Sequence, residues 1–425
     1  MSFHKRTIRD YDIANKRVLL RVDYNVPLQG GAIVSDYRIR RTLPTLRYLL
    51  QRGCSVVVCS HLGRPDGRRL EELSLRPVAK RLSELLGRDV RFSPDCVGSA
   101  AEQLAGQLQP GDVLLLENLR FHPQEMANDD AFGRQLARLA DVFVQDGFGV
   151  AHRVHASTDA VTRHLPAVAG LLLVEEMNAT AQVVDRPRRP LMAVIGGAKI
   201  SDKLGVLKHF VSTADSVAIG GAMANTFLLA EGVGVGKSLV AQDELPLARD
   251  ILRRARERSR REGFVIYIPQ DGVVATSLDE TARIRTVDWG VRVATGTQHS
   301  IQLPRPVDLV AEDEMILDIG PLSAAFIAGT MQLANTVVWN GTMGMTEVRG
   351  LRGSGNSFTR GTDTIVDAML GKYGRKPFTF AGGGDTSGYL EARGLVDDFD
   401  HVSTGGGASM ELISGKKLPG VEALL

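Results

Sequence analysis

The residues in this chain best suited to chemistry recur at one kind of place, the end of a short apolar run. In the first half, Asp23 and Asn25 come at the end of RVLLRVDY (17–24), and His61 and Arg64 follow CSVVVCS (54–60). Arg120 follows DVLLLEN (112–118), and His152 and Arg153 follow DVFVQD (141–146). Arg38, just inside the helix expected after the first run, can join them. Forked guanidinium and imidazole donors suit a small anion that carries carboxylate and phosphate. A single Arg after a strand is usually a solvated surface residue. Five cationic residues at three of the four strand ends read as a set.

The second half offers different chemistry at the same kind of place. GGAKISDK (196–203), GGAMANT (220–226), DIGP (318–321), WNGTMG (339–344), GGGDTSG (382–388) and STGGGAS (403–409) are turns, nearly all glycine-rich, that open into helices. Bare backbone N–H groups at a helix start cradle phosphate. Lys199 and Lys203 add point charges, and Asp385 offers a hard oxygen ligand for Mg²⁺. The two halves therefore read as an acidic-metabolite site and a nucleotide site. EGVGVGKS (231–238) imitates a phosphate-binding P-loop, but Glu231 stands where the first glycine is required and a helical stretch precedes it. His152 and His155 have no Cys or HExxH partner, so an anion-binding or structural role outweighs a metal one.

The elements that position these residues follow from periodicity. The four runs above, rich in Val, Ile and Leu, read as strands buried on both faces. A second series comprises LMAVIG (191–196), DSVAIGG (215–221), FVIYIP (264–269), MILDIG (315–320), NTVVWNG (335–341) and PFTFAGG (377–383). Helical segments intervene at 36–51, 75–86, 322–333 and 357–371, with Ser74 as a capping candidate and Pro77 in the first turn of the second. This alternation predicts right-handed βαβ units and parallel sheets. EEMNATAQVVDRPRRP (175–190) divides the two series and reads as a helix to Asp185 broken at Pro187. RRARERSRRE (253–262) reads as the solvated face of a helix.

Composition narrows the class. With 425 residues, two to three domains are expected. The 51 Lys+Arg against 49 Asp+Glu argue against a chain built to grip nucleic acid or anionic membrane, and 5% aromatics disfavours base stacking. The 45 glycines cluster after apolar runs, as backbone approaching a ligand requires. Cys54, Cys59 and Cys96 make no CxxC pair, so a reducing cytosol is the default. The longest apolar stretch, 165–174, is half of what a spanning helix needs, and the N-terminus lacks a signal-peptide core, so a cytoplasmic protein is expected.

Taken in order, these motifs closely resemble the phosphoglycerate kinase family. The match includes RVDYNVPL (21–28), DYRIRRTLPTL (36–46), SHLGRP (60–65), LLLENLRFH (114–122) and DGFGVAHRVHAS (146–157). It continues with GGAKISDKLGVL (196–207), GGAMANTFL (220–228), GKSL (236–239), WNGTMG (339–344) and GGGDTSG (382–388), and ends with HVSTGGGASMELISGKKLPGVEAL (401–424). The resemblance implies an α/β fold of two Rossmann-like domains with parallel sheets, joined by an interdomain helix and hinge. It places a phosphoglycerate domain at 1–176, a linker helix at 177–189 and a nucleotide domain at 190–407, with the tail 408–425 packing back on the first. Hinges fall near 185–190 and 400–408. The implied reaction is reversible phosphoryl transfer between 1,3-bisphosphoglycerate and ADP, giving 3-phosphoglycerate and ATP with Mg²⁺, by a monomer.

Carried over residue by residue, the resemblance assigns Asp23, Asn25, Arg38, His61, Arg64, Arg120, His152 and Arg153 to phosphoglycerate. Arg38, Lys199 and the turn Gly405, Gly406 and Gly407 would serve the moving phosphoryl group. Lys203, Gly221, Asn340, Glu347, Gly383, Gly384, Asp385 and Thr386 would bind nucleotide, with Asp385 at the metal. The sequence departs from the family's Lys-Thr at Leu322-Ser323, from a Pro at Thr342 and from a Phe at Thr346, and Val150 replaces a Thr. Loss of the lysine removes a cation near the nucleotide side. Two rival readings rank below the enzyme: a metabolite-binding paralogue impaired in nucleotide binding, and a kinase for another acidic acceptor.

Overall fold

Described here from a computed structural model are residues 3–279, 281–290, 309–347 and 358–425. The chain divides into two compact units. One comprises the chain up to Ala181 with Thr404–Leu412 and Lys416–Leu425; the other comprises Gln182–Ser403 with Ile413–Gly415.

The first unit contains β1 (Arg17–Arg21), a small hairpin of β2 (Leu28–Gln29) and β3 (Ala32–Ile33), β4 (Ser55–Cys59), β5 (Val90–Phe92), β6 (Val113–Leu115), β7 (Val142–Gln145) and β8 (Ala167–Ala169). Six of these form a parallel sheet in the order β5-β6-β4-β1-β7-β8. Period-2 alternation sends Leu19, Val57, Leu114 and Phe143 into the core on one face, and Val18, Leu20, Val56 and Val144 into the core on the other. Burying each such side chain stabilises the unit by about 1.5–3 kcal/mol, so losing one alternating position is felt at once. The tail belongs to this unit: the Leu425 N–H donates to the Ala167 carbonyl at 3.0 Å and the Gly420 N–H to that of Ala151 at 2.8 Å.

The second unit contains β9 (Leu191–Ile195), β10 (Ser216–Ile219), β11 (Val265–Tyr267), β12 (Asp271–Ala275), β13 (Ile284–Asp288), β14 (Met315–Ile319), β15 (Thr336–Asn340), β16 (Phe378–Gly382) and β17 (His401–Val402). Its parallel sheet runs β11-β10-β9-β15-β16-β17, a doubly wound order that reverses between β9 and β15. MILDIG corrects the sequence-based expectation. As β14 it pairs antiparallel with β12 in a separate sheet β13-β12-β14. Its apolar run matched the parallel pattern, but partner and direction are not written in periodicity.

Helices fall where periodicity put them: Tyr37–Gln51, Arg76–Leu86, Leu171–Val184, Pro321–Met331 and Arg360–Met369. The residue before Arg76–Leu86 is Leu75, so Ser74 stands one place early, although its Oγ accepts the Arg76 N–H at 3.2 Å. Leu171–Val184 leaves the first unit from the end of β8. Asp146, just past β7, accepts the N–H groups of Leu172 and Leu173 at 2.9 and 3.2 Å and so satisfies the first turn. The Arg-rich stretch lies on Leu245–Glu262, where Arg253, Arg254 and Arg258 pair with Asp250, Glu257 and Glu262. No described helix is long and apolar enough to cross a membrane, and all three cysteines are buried thiols.

Candidate active site

In an open parallel sheet, ligands bind beyond the carboxyl ends of strands where the strand order reverses. In the first sheet that point lies between β1 and β7, and Asp23 sits just past β1. Its Oδ2 accepts Arg38 Nη1 at 2.6 Å, and its Oδ1 accepts the Asn25 N–H at 3.2 Å and stands 3.8 Å from His61 Nδ1. The Asn25 Oδ1 accepts the Gly63 N–H at 2.8 Å, and the Gly63 carbonyl accepts Arg120 Nη1 at 2.8 Å. Asp23, Asn25, His61 and Arg120, from the ends of β1, β4 and β6, thus form one linked set with Arg38 from the first turn of the helix Tyr37–Gln51. His152 is half-buried and Arg153 exposed. Arg64 is also exposed, and no hydrogen bond or ion pair among the described residues joins it to the set.

The set carries more positive charge than its carboxylates answer. Burial depresses the His61 pKa well below the ordinary histidine value, with Arg21, Arg120 and Arg38 adding to it and Asp23 opposing. Burial, then Arg21 and Arg153, push Arg120 down to about 10. His155 is pushed down to about 4 by burial and by Arg21 and Arg120, and burial and Arg153 lower His152. Burial alone would raise Asp23, but Arg38 and the other cations outweigh it and hold the carboxyl below its usual value. A bound anion relieves this repulsion, which is what an anion site requires.

Glycine is needed where backbone meets this set. A Cβ on Gly149 would lie 2.2 Å from Asp23 Oδ2, and one on Gly405 would lie 2.6 Å from the Phe148 ring and 2.9 Å from Gly149 Cα. The turn of Gly405, Gly406 and Gly407 therefore packs on the Gly149 loop, with Gly407 beside His152. Thr404 anchors it, its N–H and hydroxyl both donating to Glu176 Oε1 at 2.7 Å.

In the second unit the reversal lies between β9 and β15, and here the glycines converge. Gly221 packs on Gly197, where a Cβ would lie 2.5 Å from the Gly197 nitrogen. Lys203 Nζ donates to the side chain of Asn340, the last residue of β15, and burial pushes its pKa down to about 8, with Asp385 opposing. Thr386 is buried, and its Oγ1 accepts the Gly341 N–H at 2.7 Å. Gly383 precedes the helix Gly384–Ala392, whose first turn holds the exposed Asp385. Beside them lies a pocket of about 480 Å³ lined by Gly197, Gly221, Asp318, Thr342, Glu347 and Asp385, among others. Lys199 is exposed and does not line it, its charge acting instead on Glu244.

The departures sort differently in space than in sequence. Thr342 lines the pocket, but Leu322 is outside the lining and exposed, so the expected loss of a cation near the nucleotide side does not fall on the pocket wall. Ser323 is buried, and its N–H and hydroxyl donate to Asp271 Oδ1 at 2.8 and 2.6 Å. Among the described residues, the one grouping of three or more side chains with metal-ligand proximity is Asp95, Cys96 and His122, which does not include Asp385. Asp385 is an exposed carboxylate in the first turn of Gly384–Ala392, a hard-oxygen donor of the kind Mg²⁺ takes beside water and phosphate oxygens.

Sequence reasoning assigned no role to three residues behind the first site, Arg21, Glu125 and Ser157, and read His155 beside them as anion-binding or structural. Arg21 is fully buried inside β1, hydrogen-bonded to Ser157 and 4.0 Å from Glu125. A permanent cation within an apolar strand was the available signal.

Comparison with known proteins adds the following. The family model described as phosphoglycerate kinase matches residues 8–416. The phosphoglycerate kinases of Pelotomaculum thermopropionicum and Moorella thermoacetica are each 46% identical to this chain, with 99% of both chains covered in each case. Among solved structures, phosphoglycerate kinase from Coxiella burnetii matches with TM-score 0.79 and 34% identity over 99% of this chain and 98% of that one. The enzyme from Pyrococcus horikoshii OT3 matches with TM-score 0.81 and 29% identity over the same shares.

Proposed function

The chain belongs to the phosphoglycerate kinase family, and from that premise we propose how its two sites share one reaction. The enzyme transfers a phosphoryl group reversibly between 1,3-bisphosphoglycerate and ADP, giving 3-phosphoglycerate and ATP. The observation that carries the division of labour is that each residue set gathers at the reversal point of its own sheet, cations in one and glycines with Lys203 in the other.

The linked set around Asp23 holds the phosphoglycerate. Asp23 orients Arg38 through their 2.6 Å pair, and Arg120, His152 and Arg153 with Arg64 supply charge and donors to carboxylate and phosphate. The pocket beside Gly221 and Glu347 takes the nucleoside, and Lys203, Asn340, Thr386 and the Gly383-Gly384 turn take its phosphates. Asp385, an exposed hard-oxygen donor near Lys203, would hold Mg²⁺, which neutralises phosphate charge when bound. Phosphoryl transfer needs alignment and charge neutralisation more than covalent help. Arg38, Lys199 and the N–H groups of Gly405, Gly406 and Gly407 are suited to stabilise the equatorial oxygens in flight.

In this reading residues 1–176 with 408–425 form the phosphoglycerate half and 190–407 the nucleotide half, joined through 177–189, while the turn from Thr404 to Gly407 packs with the first unit. Because each substrate has its own half, transfer requires a closing motion that aligns the reacting oxygens and excludes water. Bending near 185–190 and 400–408 supplies it. A cytoplasmic monomer acting on small molecules, without nucleic acid, accords with the balanced charge and free thiols.

A coupled assay with 3-phosphoglycerate and MgATP tests the whole reading: metabolite binding without turnover would overturn it in favour of the non-catalytic paralogue. Arg38→Ala should lower kcat about 10²–10³-fold, the scale of losing one transition-state donor. Near-full activity in a folded Arg38→Ala variant removes Arg38 from the transfer step.

A further inference from the structure

Behind His61 lies a run of hydrogen bonds to which the reaction itself assigns no task. Glu125, fully buried, accepts the Ser157 N–H at 2.9 Å and its hydroxyl at 2.6 Å. With its one proton given to Glu125, the Ser157 oxygen is left to accept, and it receives Arg21 Nε–H at 2.7 Å. Arg21 Nη1 donates to the Val22 carbonyl, and Nη2 lies 3.4 Å from His61 Nδ1. A guanidinium offers only donors. Each bond in the run therefore has one direction, and its end makes His61 Nδ1 an acceptor.

We propose that Arg21 is a positioning residue that holds His61 as the neutral imidazole protonated on Nε2, so that His61 offers the phosphoglycerate an N–H donor. The opposite tautomer would set an Nδ1–H against Arg21 and turn the Nε2 lone pair toward any anion. Among the described residues, the carboxylate placed to reward an Nδ1–H is Asp23, whose Oδ1 is 3.8 Å away, beyond hydrogen-bond reach, while its oxygens serve Arg38 and Asn25. A doubly protonated ring meets the same Arg21 donor, and burial with the Arg21, Arg120 and Arg38 charges keeps His61 uncharged. Arg38 and Arg120 already supply formal charge, so a neutral directional donor adds orientation without further repulsion.

The tautomer is a property of the free enzyme, and only the ligand's identity rests on the phosphoglycerate reading. The full chain with ¹⁵N-labelled histidine, recorded by long-range ¹H–¹⁵N correlation without ligand and assigned by loss of one signal set in His61→Gln, reads it directly. The expected spectrum shows a bare Nδ1 and a protonated Nε2 on His61, unchanged from pH 6 to 8. An Nδ1–H tautomer or an imidazolium in the wild-type enzyme overturns the proposal, whatever any variant does. In Arg21→Met, the His61 signals should shift toward mixed tautomers, with KM for 3-phosphoglycerate raised about tenfold or more, the scale of one hydrogen bond to a charged group, and KM for ATP unchanged. A folded Arg21→Met with the wild-type tautomer also overturns it. Adding 3-phosphoglycerate should move the Nε2 signal; if it does not, the ligand assignment falls while the tautomer measurement stands.

Discussion

Lys203 gives the nucleotide site a measurable proton linkage. Lys203 is half-buried, and burial pushes its pKa down to about 8, although Asp385 and Asp202 oppose the shift. In the ligand-free protein Lys203 therefore loses its charge as pH rises through about 8. Nucleotide phosphates placed beside it favour the charged form and restore its proton. At pH 8 about half of the free molecules lack that proton, so ADP binding should take up about 0.5 proton, rising to about 0.9 at pH 9 and falling to about 0.1 at pH 7. Affinity should fall about tenfold between pH 7 and 9. The ADP terminal phosphate, with a pKa of about 6, is already ionised there and adds little. Titration calorimetry at pH 8, repeated in two buffers of different ionisation enthalpy, counts the protons. Lys203→Arg keeps a cation that cannot titrate in this range and should bind ADP with no uptake. Zero uptake in the wild-type enzyme, or uptake that persists in Lys203→Arg, refutes the assignment of Lys203 to the phosphates.

Two more predictions follow from buried geometry in the first unit. Gly149→Ala places a methyl group 2.2 Å from Asp23 Oδ2, so Asp23 must leave Arg38. KM for 3-phosphoglycerate should rise at least tenfold and unfolding free energy should drop by about 1–3 kcal/mol, and unchanged steady-state kinetics would count against Asp23 as the hub. Asp146, pushed up to about 7 by burial, stays protonated in the fold over a range where the unfolded chain ionises. Its contribution is therefore present below about pH 4 and lost as pH rises to about 7, at most about 4 kcal/mol. Asp146→Asn keeps the oxygen that accepts from Leu172 and Leu173, so urea midpoints between pH 5 and 7 should fall less steeply than in the wild type; equal slopes would show that Asp146 is ionised in the fold.

Much of the fold was legible because it is local. Runs such as RVLLR and SVVVC, buried on both faces, announce parallel strands, and the helices between them keep their 3.6-residue period. The strand-end rule also picked out Asp23, Asn25, Arg38, His61 and Arg120 before their hydrogen bonds were known. What was missed depends on space. MILDIG has the composition of a parallel strand but pairs antiparallel with β12, because pairing direction depends on a partner some forty residues away. Arg21, within the quoted RVDYN motif, passed as part of a strand; only folding brings Glu125, Ser157 and His61 around it. Leu322 was read as near the nucleotide because it follows DIGP; its side chain is exposed and not among the pocket-lining residues, while its N–H donates to Asp271, which does line the pocket.

The sequence by itself determined the alternation of strands and helices, the cations at the strand ends of one half and the glycine turns of the other. These are short-range properties, set by side-chain period and by where backbone must approach a ligand. Tertiary structure alone decided which ends lie together. Strand order puts β1 beside β7 and β9 beside β15, and that adjacency turns scattered residues into sites. It also decided proton affinity, since burial and neighbouring cations hold the His61 pKa well below its ordinary value and burial lowers that of Lys203, which no linear motif contains.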